Sequence, residues 1–185
     1  MRSRRQMEGF AYLAGFILSI PIANWMIGNV GSACAANGLC VIPVLPGVLA
    51  PSSVLLVGLA FVLRDLVQRR LGMQWAIAAI LFGAALSALV APPTLVIASA
   101  TAFLFSEMAD LLVYTPLQRR RLVFAVFLSS MVGLTVDSML FLGLAFGSLE
   151  FLAGQIIGKS WMVVLVLPLI AMLRRRDDRI GLAPA

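Results

Sequence analysis

The chain has 185 residues, of which 62% are hydrophobic and 12% charged, and its mean hydropathy is +1.04. Soluble domains run about half apolar and about a quarter charged, and a small domain has too much surface to hide such an excess in a core. Disorder fails for the same reason, and 15 Gly, 9 Pro and 2 Cys exclude a collagen-like or disulfide scaffold, so this is the composition of an integral membrane protein.

A net charge of +6 would suit a nucleic-acid partner if it were spread over one face. Instead the arginines fall into four tight groups: Arg2, Arg4 and Arg5; Arg64, Arg69 and Arg70; Arg119, Arg120 and Arg121; and Arg174, Arg175, Arg176 and Arg179. Only Lys159 stands apart. About 50 largely apolar residues separate consecutive groups, room for an out-and-back pair of ~20-residue spans. Basic residues mark the cytoplasmic side of short loops. The pattern predicts an all-α, single-domain bundle of six transmembrane helices with both termini cytoplasmic, and no role in nucleic-acid binding.

In chain order, the predicted spans are residues 10–30, 51–70, 74–91, 94–116, 122–147 and 150–173, with one long outer loop over residues 31–50. The charged start and the small residues from Ala33 to Ala36 imitate a cleavable leader. Removing the first helix would leave five spans and spoil the charge alternation, so it is expected to stay. The outer loop holds Cys34 and Cys40, expected to pair in an oxidising compartment. The stretch from Val41 to Pro51, punctuated by Pro43 and Pro46, is poor helix and too short to span. It is expected to dip into the outer mouth as a plug or gate, where protein or a wet cavity satisfies its backbone.

Small residues recur at spacings of four: Ala11, Gly15 and Ser19; Ala79, Gly83 and Ser87; Gly143 and Gly147; Gly154 and Gly158. Such faces let helices approach closely, either within one bundle or between subunits of a homo-oligomer. Ionisable residues inside spans are costly and default to functional candidates. Here they are Asp65, Glu107, Asp110, Asp137 and Lys159, with Asn24, Ser99, Ser106, Ser130 and Gln155 as uncharged company. On helix 4, Ser99, Phe103, Glu107, Asp110 and Tyr114 form one stripe. A second stripe on helix 5 holds Ser130, Gly133, Asp137 and Phe141. Asp137 and Lys159 fall at equal depth, roughly 14–15 Å from the outer ends of their helices at ~1.5 Å per residue, and form a candidate ion pair. The alternative role for all these acids is to hold the bundle by pairing with Arg64, Arg69 or Lys159, but three acids on two stripes outnumber that one buried cation.

There is no histidine, which removes Ser–His proteolysis, His-ligated metals and His proton relays. Two outer cysteines make no zinc site, no phosphate-binding glycine loop is present, and no metal or cofactor is expected. A carboxylate-lined cavity flanked by aromatic rings suits a planar solute bearing N–H donors, since one carboxylate accepts two parallel hydrogen bonds and a ring face adds ~1–3 kcal/mol per stacked base. From the residues alone, this is a small transporter for a polar or cationic solute.

Three segments sharpen that reading: Phe61 to Gly72 with Arg64 and Asp65; Ala98 to Asp110 with Ser99, Phe103 and Glu107; and Ser129 to Phe141 with Gly133 and Asp137. With Gly158, Lys159 and Pro168, they resemble the queuosine precursor transporter family, also called the VUT family. The resemblance covers roughly residues 24–168. It implies six spans in the bacterial inner membrane, uptake of the 7-deazaguanines preQ0 and preQ1 for tRNA modification, and no enzymatic activity. By position it implies substrate-site roles for Asp65, Ser99, Phe103, Asp110, Ser130, Asp137 and Lys159. The chain departs from the family pattern at Arg69, where many members carry an acid, and at Glu107, where they carry Gln. Two rival readings are a substrate-capture subunit of an energy-coupling-factor vitamin transporter, docking through the helix-1 small-residue face, and a structural or regulatory membrane protein that moves no solute.

Overall fold

The computed structural model describes residues 2–34 and 40–182. Residues 35–39, which separate the two cysteines and include Ala35 and Ala36 of the leader-like cluster, lie outside the described residues. Among the described residues the chain forms six α-helices: α1 Arg2–Asn29, α2 Val54–Leu71, α3 Met73–Val90, α4 Val96–Leu117, α5 Leu122–Phe146 and α6 Leu152–Arg179. A 3₁₀ turn, Pro93–Leu95, leads into α4. The chain reverses where helix is hardest to continue. Gly72 alone separates α2 from α3 at φ 100°, and Gly147 ends α5 in the left-handed region at φ 62°, its N–H bonded to the Gly143 carbonyl, conformations that cost a glycine little.

The surface is inverted relative to a soluble protein. Leu89 and Ile97 are 82% and 77% exposed, while Arg64, Asp65, Asp110 and Asp177 have no exposed surface. Apolar side chains outside and charges inside are what a hydrocarbon solvent selects. Five helices are long and apolar enough to cross a membrane. The protein is an all-α membrane protein on this evidence of length and composition. The helix that falls short is α2, because its 18 residues include Arg64, Asp65, Arg69 and Arg70. It compensates by being enclosed: α1, α3, α5 and α6 all pack on it.

The long loop is a small antiparallel sheet rather than an irregular plug. Strands β1 Ala33–Cys34, β2 Cys40–Leu45 and β3 Val48–Pro51 pair in the order β1-β2-β3. Cys34 and Cys40 face each other across β1 and β2 and are joined by a disulfide. The ladder satisfies backbone groups that a plug would have to expose. Trp161 of α6 donates its indole N–H to the Val44 carbonyl at 3.0 Å, and Ser52 donates to the Met26 carbonyl at 2.7 Å, fastening the sheet to α6 and α1.

Most of the small-residue faces are consumed within the bundle. A Cβ on Gly154 would strike the backbone carbonyl of Leu49, and one on Gly58 the backbone carbonyl of Lys159. A Cβ on Gly83 would come within 2.7 Å of the Phe103 ring, and one on Gly158 within 2.5 Å of the Val54 side chain. On α1, a Cβ on Gly15 would come within 3.4 Å of Leu63 and Ser19 is buried, while Ala11 is exposed, so that stripe is only partly used within the bundle. Of the glycines in these small-residue faces, Gly143 and Gly147 are the ones that meet open space.

This difference sets a test. Gly58→Ala forces the α2 and α6 backbones apart and should lower the melting temperature and folded yield sharply, with a cost above ~2 kcal/mol. Gly143→Ala places a methyl in open space within a helix and should be neutral or gain up to ~1 kcal/mol. Thermal melting of the two variants in one detergent compares them directly.

Candidate solute-binding site

Two buried cations organise the polar interior. Arg64, midway along α2, donates from Nε to Glu107 Oε2 at 2.9 Å. Its Nη1 lies 2.9 Å from Asp65 Oδ1 and its Nη2 2.6 Å from Asp110 Oδ1. The last two are close ion pairs whose angles fall short of hydrogen bonds. Gln68 Oε1 lies 3.4 Å from Nη1, and the Tyr114 ring sits 5.9 Å from the guanidinium carbon, within cation–π reach. Ser129 of α5 donates to Asp65 Oδ2 at 3.2 Å. One guanidinium thus gathers α2, α4 and α5. Arg64 is a second buried cation, which corrects the expectation that Lys159 stands alone against the acids.

Lys159 on α6 has its three N–H donors matched by three acceptors. Asp137 Oδ2 lies 2.6 Å away, Gln155 Oε1 2.6 Å and Ser138 Oγ 2.7 Å. Asp137 and Gln155 are held in fixed orientations by this single ammonium.

A third set lies at the arginine-bearing end. Asp177 takes hydrogen bonds from Arg69 at 2.9 and 3.1 Å and from Arg70 at 2.8 and 2.9 Å. Glu8 lies 2.9 Å from Arg70 Nε and 2.7 Å from Arg176 Nη2. Arg69 and Arg70 are therefore more than markers of a membrane side. They tie α1, α2 and α6 together, which accounts for α1 starting at Arg2 and α6 running to Arg179, well beyond the predicted 10–30 and 150–173.

Above the Arg64 cluster, in the half of the bundle nearer the sheet, lies a cavity of about 100 Å³. That is small beside ordinary ligand pockets of ~300–1,000 Å³ but ample for several waters at ~10–15 Å³ each. All six helices contribute to its wall. The acids on it are Glu107 and Asp137, the rings Phe61, Phe103 and Phe141, and the uncharged polar groups Ser19, Asn24, Ser53, Ser87, Ser99, Ser106 and Gln155. No described residue of the three strands lines it, so the segment from Val41 to Pro51 is not part of the cavity wall.

Of the sequence candidates, the structure brings Asn24, Ser99, Phe103, Glu107, Asp137 and Gln155 to this wall. Lys159 stands behind Asp137 and Gln155. Asp65 and Asp110 stand behind Glu107, on Arg64, and Ser130 is buried in α5 without reaching the wall. Reasoning from sequence overlooked Arg64 as an interior group, because two neighbouring arginines made it look like part of a surface run. Its position ten residues into an 18-residue helix, one step before Asp65, was the available signal. Ser19 and Ser87 were legible only as small packing residues.

Both carboxylates on the wall keep one oxygen uncommitted. Glu107 engages Arg64 through Oε2 and Asp137 engages Lys159 through Oδ2. Neither Glu107 Oε1 nor Asp137 Oδ1 forms a hydrogen bond or ion pair among the described residues. The cavity therefore presents acceptors in surplus, oriented by cations that lie behind it.

Residues 87–173 match a family model described as a putative vitamin uptake transporter. The match spans just under half of the chain. The matched stretch runs from Ser87 through α4 and α5 to the end of the apolar part of α6, and so contains Glu107, Asp137, Gln155 and Lys159. Comparison with the curated proteins and with the solved structures found no match. Over that stretch the chain is similar to a transporter family of the vitamin-uptake type.

The Asp137–Lys159 contact can be tested by a double-mutant cycle. Lys159→Met strands a carboxylate and Asp137→Asn strands an ammonium, each at a cost of ~3–5 kcal/mol. The double variant should melt at a higher temperature than either single one, and strictly additive losses would argue against the contact. Arg64→Met, which strands three acids at once, should yield the least folded protein of the series.

Proposed function

We propose that this protein is an inner-membrane importer of queuosine precursors, the 7-deazaguanines preQ0 and preQ1, which recognises their guanine-like edge. On this reading all six helices cross the bilayer, both termini are cytoplasmic, and the cavity lies in the outer half of the bundle. The observation that carries the proposal is the pairing of two half-free carboxylates with three phenylalanine rings on one small cavity wall.

The chemistry follows from counting donors. A guanine-like edge offers an N1–H and an exocyclic N2 amine, and its O6 accepts. Glu107 Oε1 and Asp137 Oδ1 supply acceptors for the two donors. The side-chain amide of Gln155, whose oxygen already faces Lys159, supplies an N–H for O6. Phe61, Phe103 and Phe141 supply faces and edges for the ring. Asn24 and the serines hydrate or hydrogen-bond the remaining periphery, while Asp65, Asp110, Ser130 and Lys159 act through the groups they hold in place.

Glu107→Gln and Asp137→Asn should each lower preQ0 or preQ1 uptake by roughly 10–100-fold, because a hydrogen bond to a charged group contributes ~1.5–3 kcal/mol. Folded yield should hold up better for Glu107→Gln, which keeps an acceptor for Arg64. Thermal shifts with preQ0, preQ1, guanine and adenine measured side by side test the edge directly, since binding to the folded state raises its apparent stability. Adenine lacks both donors and should bind roughly 100-fold or more weakly. Adenine binding as tightly as the deazaguanines would overturn the proposal, as would normal uptake by both acid variants.

A further inference from the structure

A second concavity, of about 790 Å³, lies on the outside of the bundle and is separate from the solute cavity. Its floor is α2, through Leu59, Leu63 and Leu66, and its long wall is α6 from Val166 to Arg179, with Tyr12 of α1 closing the other side. The groove exists because α1 and α6 both pack on α2 and diverge over it.

The groove is chemically polarised along its length. On α6, Val166, Leu169, Ile170 and Leu173 are followed by Arg175, Arg176 and Arg179 on the same wall. From Val166 to Arg179 is 13 residues, about 20 Å at ~1.5 Å per residue. That exceeds by a few ångströms the ~15 Å half-thickness of a bilayer's hydrocarbon core. The apolar part, Val166 to Leu173, takes up about 10 Å of that length at ~1.5 Å per residue and the guanidinium groups follow it toward the headgroups, an arrangement complementary to one class of molecule.

We infer that this groove is a binding site for an anionic phospholipid of the arginine-side leaflet, with an acyl chain along α2 and α6 and its phosphate on Arg175 and Arg179. Those two arginines are exposed, and neither forms an ion pair among the described residues. Arg176 is committed to Glu8 and Asp177, and Arg174 lies 3.8 Å from Asp178. Two uncommitted guanidiniums at the end of an apolar trough favour a phospholipid headgroup of net negative charge over a zwitterionic one, whose own ammonium would be repelled. Basic pockets between helices at the cytoplasmic membrane surface recognise acidic headgroups in this way. The inference is independent of the solute and stands or falls without it.

The experiment uses full-length protein in detergent, melted with phosphatidylglycerol, with phosphatidylcholine of the same acyl chains, or with inorganic phosphate. Native mass spectrometry counts the lipid retained. Phosphatidylglycerol should raise the melting temperature by several degrees and stay bound in one copy, whereas phosphatidylcholine and inorganic phosphate should do neither. Arg175→Gln with Arg179→Gln, both on the surface and so compatible with folding, should lose most of that shift relative to its own lipid-free baseline. Arg120→Gln with Arg121→Gln removes the same charge outside the groove and should retain the shift. Equal stabilisation by phosphatidylcholine, a full response to phosphate alone, or equal loss in both double variants would each overturn the inference.

Discussion

A guanidinium cannot be left unpaired in hydrocarbon, and the rest of this bundle is arranged around that constraint at Arg64. Removing such a charge from water costs several kcal/mol even after relaxation, and close carboxylates must offset it. Arg64 meets the demand with one acid from its own helix and two from α4. That requirement fixes the register of α4 against α2. The Ser129 bond to Asp65 then sets α5. Once α2 carries this charge it has to be the enclosed helix, which is why the one helix of the six that falls short as an apolar span sits among the others instead of at the lipid boundary.

The same arrangement divides the molecule into layers. At the arginine-bearing end, Glu8 and Asp177 bind Arg69, Arg70 and Arg176 into a network spanning α1, α2 and α6. In the middle, Arg64 and Lys159 hold their acids. Toward the sheet, the packing opens into a cavity whose charged groups are the outward-facing sides of two of those held acids, Glu107 and Asp137. A site of this kind is preorganised by what lies behind it, because the orientation of Glu107 and Asp137 is set before any solute arrives.

The parts of this structure that were legible in the sequence are those that depend on chain-local physics. Apolar run lengths and the Gly72, Pro92 and Gly147 breaks mark the helices, and the helix-4 periodicity places Phe103 and Glu107 on one face. The pairing of Asp137 with Lys159 follows from equal depth on neighbouring helices. Arg64 was not legible as an interior group, because its partners lie 43 and 46 positions away on α4 and a local charge count assigns it to the Arg69–Arg70 run. The sheet was hidden for a related reason. Pro43, Pro46 and Pro51 forbid helix, but only cross-strand pairing, which has no local signature here, distinguishes a ladder from a plug. Asp110 shares the helix-4 stripe with Glu107 yet faces Arg64 rather than the cavity, since three residues along a helix rotate a side chain by most of a turn and a narrow cavity resolves that difference.

Counting Arg64 also relocates the excess of acid. Asp137 and Lys159 form a neutral pair, whereas three carboxylates surround the single Arg64 guanidinium. The surplus of negative groups therefore belongs to the Arg64 cluster, and Glu107 is its only member on the cavity wall. On the proposed reading, a solute's donors meet two different acceptors there. Asp137 offers an oxygen whose charge is already balanced, suited to a neutral N–H, while Glu107 belongs to a cluster with more carboxyl groups than cations, which an added cation would complement. The aminomethyl group of preQ1 carries such a cation and the nitrile of preQ0 does not. On that same proposed reading, Glu107 and Asp137 together read the guanine-like edge common to both, and the aminomethyl group of preQ1 gains in addition from the surplus of acid behind Glu107.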